Sequence, residues 1–229
     1  MPGLHITMFG ELSLSFGGNI INERSRRSEK TWLFLAYLVQ NMDREITLDE
    51  LCGVLWENES IENPKNAMKT LLHRLRTELA KLGMPPNEPV VINHRDLYMF
   101  NKSINFTLDT LEFSKTVSNA DSFASAARLV ELYKGEFLSS FGSSSWLLPL
   151  RERYRSAFTD TLRRIINPLL NEKQYQDIIM LCSRGILSDP ANEFLNSALN
   201  NALTLDEAAR CGRHEAHDLN DVLSKLAHD

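Results

Sequence analysis

Between an Asn-Pro pair at 63–64 and a Gly-Met-Pro-Pro run at 83–86, the sequence sets Ala67, Met68, Leu71, Leu72, Leu75, Leu79 and Leu82 at steps of three and four. Only an α-helix brings residues so spaced onto one side, so the segment 64–82 reads as a helix that buries one stripe and exposes the rest. Asn63 suits its N-cap, Pro64 its first position and Gly83 its stop, and the prolines forbid continuation. The outward remainder is Lys65, Asn66, Lys69, Thr70, His73, Arg74, Arg76 and Thr77, and residues 63–77 contain no Asp or Glu.

The neighbouring segments frame that helix. Leu4, Ile6 and Met8, then Leu12, Leu14 and Phe16, alternate with mostly polar residues and read as two short antiparallel strands. Residues 31–40 form a first helix, apolar over much of its surface. Thr47, three residues before Glu50, has capping-box spacing and starts a second helix that runs to about Trp56. Beyond the prolines, residues 90–100 read as a hairpin whose four-residue tip is Asn93-His94-Arg95-Asp96. From Thr107 the pattern is helical, with breaks near 119–121, 141–145, 171–173, 189–190 and 212. The implied fold class is mainly α with a small β component, divided into domains at 1–105 and 106–229.

Charge weighs on what the exposed face does. The 229 residues carry 25 Lys and Arg against 30 Asp and Glu, a net charge of −5. Residues 1–105 hold 12 cations against 13 acids (−1), and residues 106–229 hold 13 against 17 (−4). A nucleic-acid reading therefore rests on local distribution. Duplex DNA asks for cations that displace counterions at phosphates, and for short polar or forked side chains that reach base edges. The face of the 64–82 helix supplies both, although a solvated helix face carries the same residue types. His94 and Arg95 either bring a cation to the backbone or minor groove beside that helix or form an ordinary polar turn. Arg24, Arg26 and Arg27 either touch phosphate or solvate the entry to the first helix.

The stretch Asn66-Ala67-Met68-Lys69-Thr70-Leu71-Leu72-His73-Arg74-Leu75-Arg76 resembles the recognition helix of the OmpR-type winged helix in Streptomyces antibiotic regulatory proteins. The N-terminal strand pair is similar to the sheet that precedes that domain, and Leu97-Tyr98 stands where the family has glycine and an aromatic. In the second half, Leu132-Tyr133-Lys134-Gly135-Glu136-Phe137-Leu138, Trp146 and Arg151-Glu152-Arg153 resemble the bacterial transcriptional activator domain. Residues 172–190 resemble a tetratricopeptide-type helix pair and 212–226 a last truncated repeat. The resemblance implies an N-terminal winged helix-turn-helix, a C-terminal TPR-like domain, and a transcriptional regulator, with Lys69, Thr70, His73, Arg74 and Arg76 facing the major groove. Lys69 and His73 replace the usual arginine and serine. Lysine lacks the bidentate fork and the donor count of histidine changes with protonation, so the base sequence read differs.

Other chemistry finds little support. There is no glycine-rich phosphate loop, nucleophile elbow or zinc-protease signature, which argues against an enzyme or a cofactor. Cys211, His214 and His217, with Asp218 and Asp221, do not have the spacing of a standard zinc finger, so no metal is assigned. Cys52, Cys182 and Cys211 are odd in number and widely spaced, as suits reduced thiols. With no secretory signal and no membrane-length apolar run, a cytoplasmic protein is expected. The expected partner is double-stranded DNA, with RNA polymerase or another regulatory protein on the helical half; a homodimer on repeated half-sites is an open alternative. The competing reading is a protein-interaction scaffold that does not bind DNA specifically.

Overall fold

The computed structural model describes residues 3–22, 29–57 and 59–226, the stretch 212–226 through its backbone alone. Arg24, Arg26 and Arg27 lie outside the described residues. The chain forms two compact units, Met1–Lys115 with Gly135–Arg155, and Thr116–Lys134 with Ser156–Asp229.

The first unit opens with strands β1 (Leu4–Thr7), β2 (Ser13–Phe16) and β3 (Asn19–Asn22), and closes its sheet with β7 (Phe106–Leu108) in the order β3-β2-β1-β7. Leu4, Ile6 and Leu14 alternate inward and are buried. β2 and β3 pair antiparallel through Phe16 and Asn19, so Gly17-Gly18 is a two-residue turn. Both glycines have positive φ, +57° and +90°, which that turn requires and which side chains resist. β3 lacks an alternating pattern and escapes a periodicity reading; it forms because the turn folds it back onto β2. β7 pairs parallel with β1, Leu4 against Phe106, a register fixed by residues a hundred positions apart.

Three helices follow the first hairpin: α1 (Glu29–Gln40), α2 (Leu48–Leu55) and α3 (Pro64–Lys81). Thr47 caps α2 by accepting the Glu50 N–H. The Glu50 carboxylate does not return to Thr47. It takes the Arg44 guanidinium and the Tyr37 hydroxyl instead, joining α1 to the start of α2. Arg44 holds the Glu50 carboxyl below its ordinary pKa, followed by the Tyr37 hydrogen bond, against the opposing effect of burial. Asn63 caps α3 by accepting the Asn66 N–H at 3.0 Å, and Gly83, at φ +78°, ends it. β4 (Ile46–Thr47), β5 (Val91–His94) and β6 (Leu97–Phe100) make a small sheet in the order β4-β6-β5. Three helices with this hairpin behind them are a winged helix. The hairpin root is anchored where Tyr98 meets Phe34 of α1 edge to face, centroids 5.9 Å apart.

The segment after α5 (Phe123–Leu132) returns to the first unit. Leu138 N–H donates to the Met8 carbonyl at 2.8 Å and Ser139 N–H to Gly10 at 2.9 Å, while Gly10 N–H donates to Glu136. Gly135 enters this pairing at φ +145°, which a side chain rarely adopts. Arg151, on the first turns of α6 (Leu147–Asn171), holds the segment from inside by donating to the carbonyls of Phe137, Leu138 and Phe141 at 2.7 to 3.0 Å. Phe137-Leu138 and Arg151, both in segments singled out in the sequence, are thus held to one another within the first unit.

The second unit comprises α5, the remainder of α6, α7 (Tyr175–Ser188) and α8 (Glu193–Leu226), with the end of α4 (Asp109–Ser118). Tyr133 stacks on Phe158 at 4.3 Å. α7 and α8 pack so closely at Gly185 that a Cβ there would lie 2.8 Å from Leu195 Cδ1. The sequence predicts a break near Gly212; α8 instead runs through it as one helix of 34 residues. A single interior glycine costs a helix about 1 kcal/mol, too little to end one so long. No helix among the described residues is long and apolar enough to cross a membrane.

Replacing Arg151 by methionine keeps the aliphatic stem but removes its hydrogen bonds to the Phe137 and Phe141 carbonyls and one of the two that the Leu138 carbonyl accepts, the Phe141 N–H remaining there. Arg151→Met is expected to lower stability by about 3 kcal/mol, read as a reduced urea midpoint.

Candidate nucleic-acid interface

The burial of α3 divides it cleanly. Met68 and Leu75 are fully buried, Leu71, Leu72 and Leu79 nearly so, and Ala67 is half-buried. Lys65, Asn66, Lys69, Thr70, His73, Arg74, Arg76 and Thr77 are all exposed. At about 100° per residue, Asn66, Lys69, Thr70, His73 and Thr77 centre on the side opposite Leu75. Arg74 and Arg76 lie about 80° to either side of that centre. The helix thus carries a polar ridge of short or forked groups flanked by two guanidiniums.

Hydrogen bonding narrows what the ridge offers. The Thr70 hydroxyl donates to the Asn66 carbonyl at 2.9 Å and the Thr77 hydroxyl to the His73 carbonyl at 3.0 Å. Their protons are committed to the helix, so outward they present a methyl and acceptor lone pairs. The side chains of Lys69, His73, Arg74 and Arg76 make no hydrogen bond or ion pair with any described residue. Glu78, the first acid on the helix, is held by Lys81 and leaves the arginines alone.

The hairpin tip is tighter than the sequence suggests. His94 pairs with Leu97, so the turn is the two residues Arg95-Asp96 and not the four from Asn93 to Asp96. His94 and Arg95 are exposed. Arg95 has φ +56°, the left-handed conformation required at the first central position of such a turn and unfavourable for any residue with a Cβ.

The tip is tied to the helix by a contact that sequence periodicity does not reveal. The Asp96 carboxylate takes Lys65 Nζ at 2.8 Å, and the Asp96 carbonyl accepts the Leu48 N–H at 2.9 Å. The first of these raises the Lys65 pKa above its ordinary value, with Tyr98 and Asp49 adding weaker contributions. Of Lys65, Lys69, Arg74 and Arg76, Lys65 is therefore the one with an acidic partner among the described residues. The pair spans 31 positions, so neither helical nor strand periodicity exposes it; the sole hint is that Asp96 is the only acid in the tip.

Elsewhere no metal-binding group is built: no cluster of three His, Cys, Asp or Glu occurs among the described residues. Cys211 is exposed, and the side chains of His214 and His217 lie outside the described residues. Cys182 is buried among apolar groups, which pushes its thiol up to about 12.

No family model matches this sequence, and no curated protein matches it. Among solved structures, Mycobacterium tuberculosis EmbR in complex with a low-affinity phosphopeptide has the same fold, with a TM-score of 0.63 at 19% identity. The match covers 90% of this chain and 56% of that one, so the chain spans little more than half the length of the neighbour. The likeness extends over the winged helix and the helical unit alike.

Relief of the strain at the turn gives a test of its own. Arg95→Gly is expected to stabilise the protein by roughly 1 kcal/mol, seen as a higher urea midpoint, because glycine adopts positive φ without the side-chain penalty.

Proposed function

We propose that this chain is a sequence-specific duplex DNA-binding regulator of transcription, acting through an OmpR-type winged helix with α3 in the major groove. One observation carries the reading: a helix whose outward face from Lys65 to Thr77 is cationic or polar, with the side chains of Lys69, Arg74 and Arg76 unengaged by any described residue, stands beside a hairpin tip bearing His94 and Arg95. The B-DNA major groove admits one helix, and a helix seated there faces base edges at its centre and a phosphate strand on each side. Asn66, Lys69, Thr70, His73 and Thr77 suit the first role. Arg74 and Arg76, splayed to opposite flanks, suit the second. The strained turn supports a cation at the wing, since glycine would serve the hairpin better on conformational grounds alone.

The regulator assignment draws further support from the fold shared with EmbR, a regulator of the Streptomyces antibiotic regulatory protein family. The helical unit, read as TPR-like, then serves contact with RNA polymerase or another regulatory protein. An open groove of about 580 Å³ lined by Gln174, Tyr175, Gln176 and Asp206, and Leu187 at 83% exposure, favour a protein partner there. Activation is the assigned direction of regulation, and no catalytic role is assigned.

Selection of bound sequences from a random duplex pool, followed by titration across salt, tests the reading. Arg74→Ala and Arg76→Ala should each flatten the slope of log affinity against log salt by about 0.9 on any duplex. Asn66→Ala and His73→Ala should leave scrambled duplex binding unchanged and each cost about 1–3 kcal/mol on the selected site, relaxing one base position. A direct or inverted repeat in the selected sequences would mean two subunits per site. Wild-type binding by all four variants would end the proposal.

A further inference from the structure

The geometry points to Asp96 as an internal competitor for phosphate, which withholds Lys65 from non-specific DNA and so raises the specificity of the interface. This rests on the duplex-binding reading above. Asp96 joins two helix starts: its carboxylate takes Lys65, the second residue of α3, and its carbonyl takes the N–H of Leu48, the first residue of α2. Helix N-termini carry partial positive charge and are where a DNA phosphate docks. An acid of the chain itself already stands at this place. Asp49, in the first turn of α2, adds a second negative charge acting on Lys65.

The contrast with the rest of the face gives the inference its force. Lys69, Arg74 and Arg76 have no acidic partner among the described residues and release counterions as soon as a phosphate approaches. Lys65 must first surrender Asp96, and the displaced carboxylate stays beside the incoming backbone as a like charge. Loose, sequence-independent complexes leave the pair closed, and they lose one phosphate contact. An exposed ion pair is weak enough for a well-aligned phosphate to open it, so a fully seated α3 recovers the contact. Asp96 thereby penalises the non-specific state more than the specific one, the sense in which a repulsive element makes an interface selective. Through Leu48 its main chain also fixes the turn, and substitution of the side chain leaves that bond in place.

The test uses the full chain and a short duplex of scrambled sequence, with affinity measured across salt and a thermal melt to show that each variant is folded. Asp96→Asn should tighten scrambled-duplex binding about 3- to 10-fold at low salt and steepen the log–log slope by about 0.9. Lys65→Met should not change the slope in the wild-type background. Combined with Asp96→Asn, it should return the slope to its starting value. Asp43→Asn, which removes an exposed acid paired with Lys102 away from α3, controls for net charge. If Lys65→Met alone flattens the slope by about 0.9, Lys65 already sits on phosphate and the inference fails. It fails equally if Asp96→Asn does no more than Asp43→Asn. Should Arg74→Ala and Arg76→Ala weaken binding while Asp96→Asn matches its control, only the role of Asp96 is lost. Should those arginine variants also bind like wild type, the duplex-binding reading has failed.

Discussion

The burial of one stripe on α3 governs the first unit. Met68, Leu71, Leu72, Leu75 and Leu79 are withdrawn from water against α1 and α2, each worth about 1.5–3 kcal/mol when fully covered. That sum far exceeds what any surface ion pair contributes, so the rotation of α3 about its own axis is set by apolar packing and by nothing on the opposite side. The outward face is a consequence. Its residues can vary at little cost to the fold because the helix is held from behind.

A second constraint works at a distance along the chain. The segment 135–141 pairs with residues 8–10, and Arg151 reaches its carbonyls from α6, so the first unit is completed only after the chain has passed through α5. The N-terminal sheet shows the same long reach, with β7 parallel to β1. Such non-local closure makes the winged helix depend on residues well beyond its hairpin. It also explains why Gly135, Phe137 and Arg151 sit in the segments that resemble a separate activator domain: they build the junction that follows the winged helix.

Local signals were legible in the sequence and non-local ones were not. Asn63, Pro64 and Gly83 bracket α3 because capping and chain termination act over three or four residues. Thr47 caps α2 as its spacing implies, yet the returning arm of the capping box is missing because Arg44 and Tyr37 offer Glu50 stronger partners than one N–H. β3 and β7 escaped because each is defined by the strand it pairs with. The polar composition of the tip suggests a four-residue turn and hides that Asn93 and His94 remain in register with Tyr98 and Leu97. α8 crosses Gly212 because packing upstream outweighs one glycine. Within the candidate site, exposure of the α3 residues followed from periodicity alone, whereas the tie from Lys65 to Asp96 required the wing to be folded back beside the helix.

A net charge of −5 is compatible with a DNA-facing helix because electrostatics in salt is local. At physiological ionic strength the Debye length is about 8 Å, so exposed acids farther than that from a docked phosphate are largely screened from it. What a backbone senses is the charge within a turn or two of the contact, where Lys69, Arg74 and Arg76 stand without acidic partners. On the proposed duplex-binding reading, the remaining acids act chiefly at long range and low salt, where they oppose approach from the wrong side. A globally basic protein binds any duplex in any orientation; a locally basic face on an acidic body restricts binding to the one orientation in which base edges can be read.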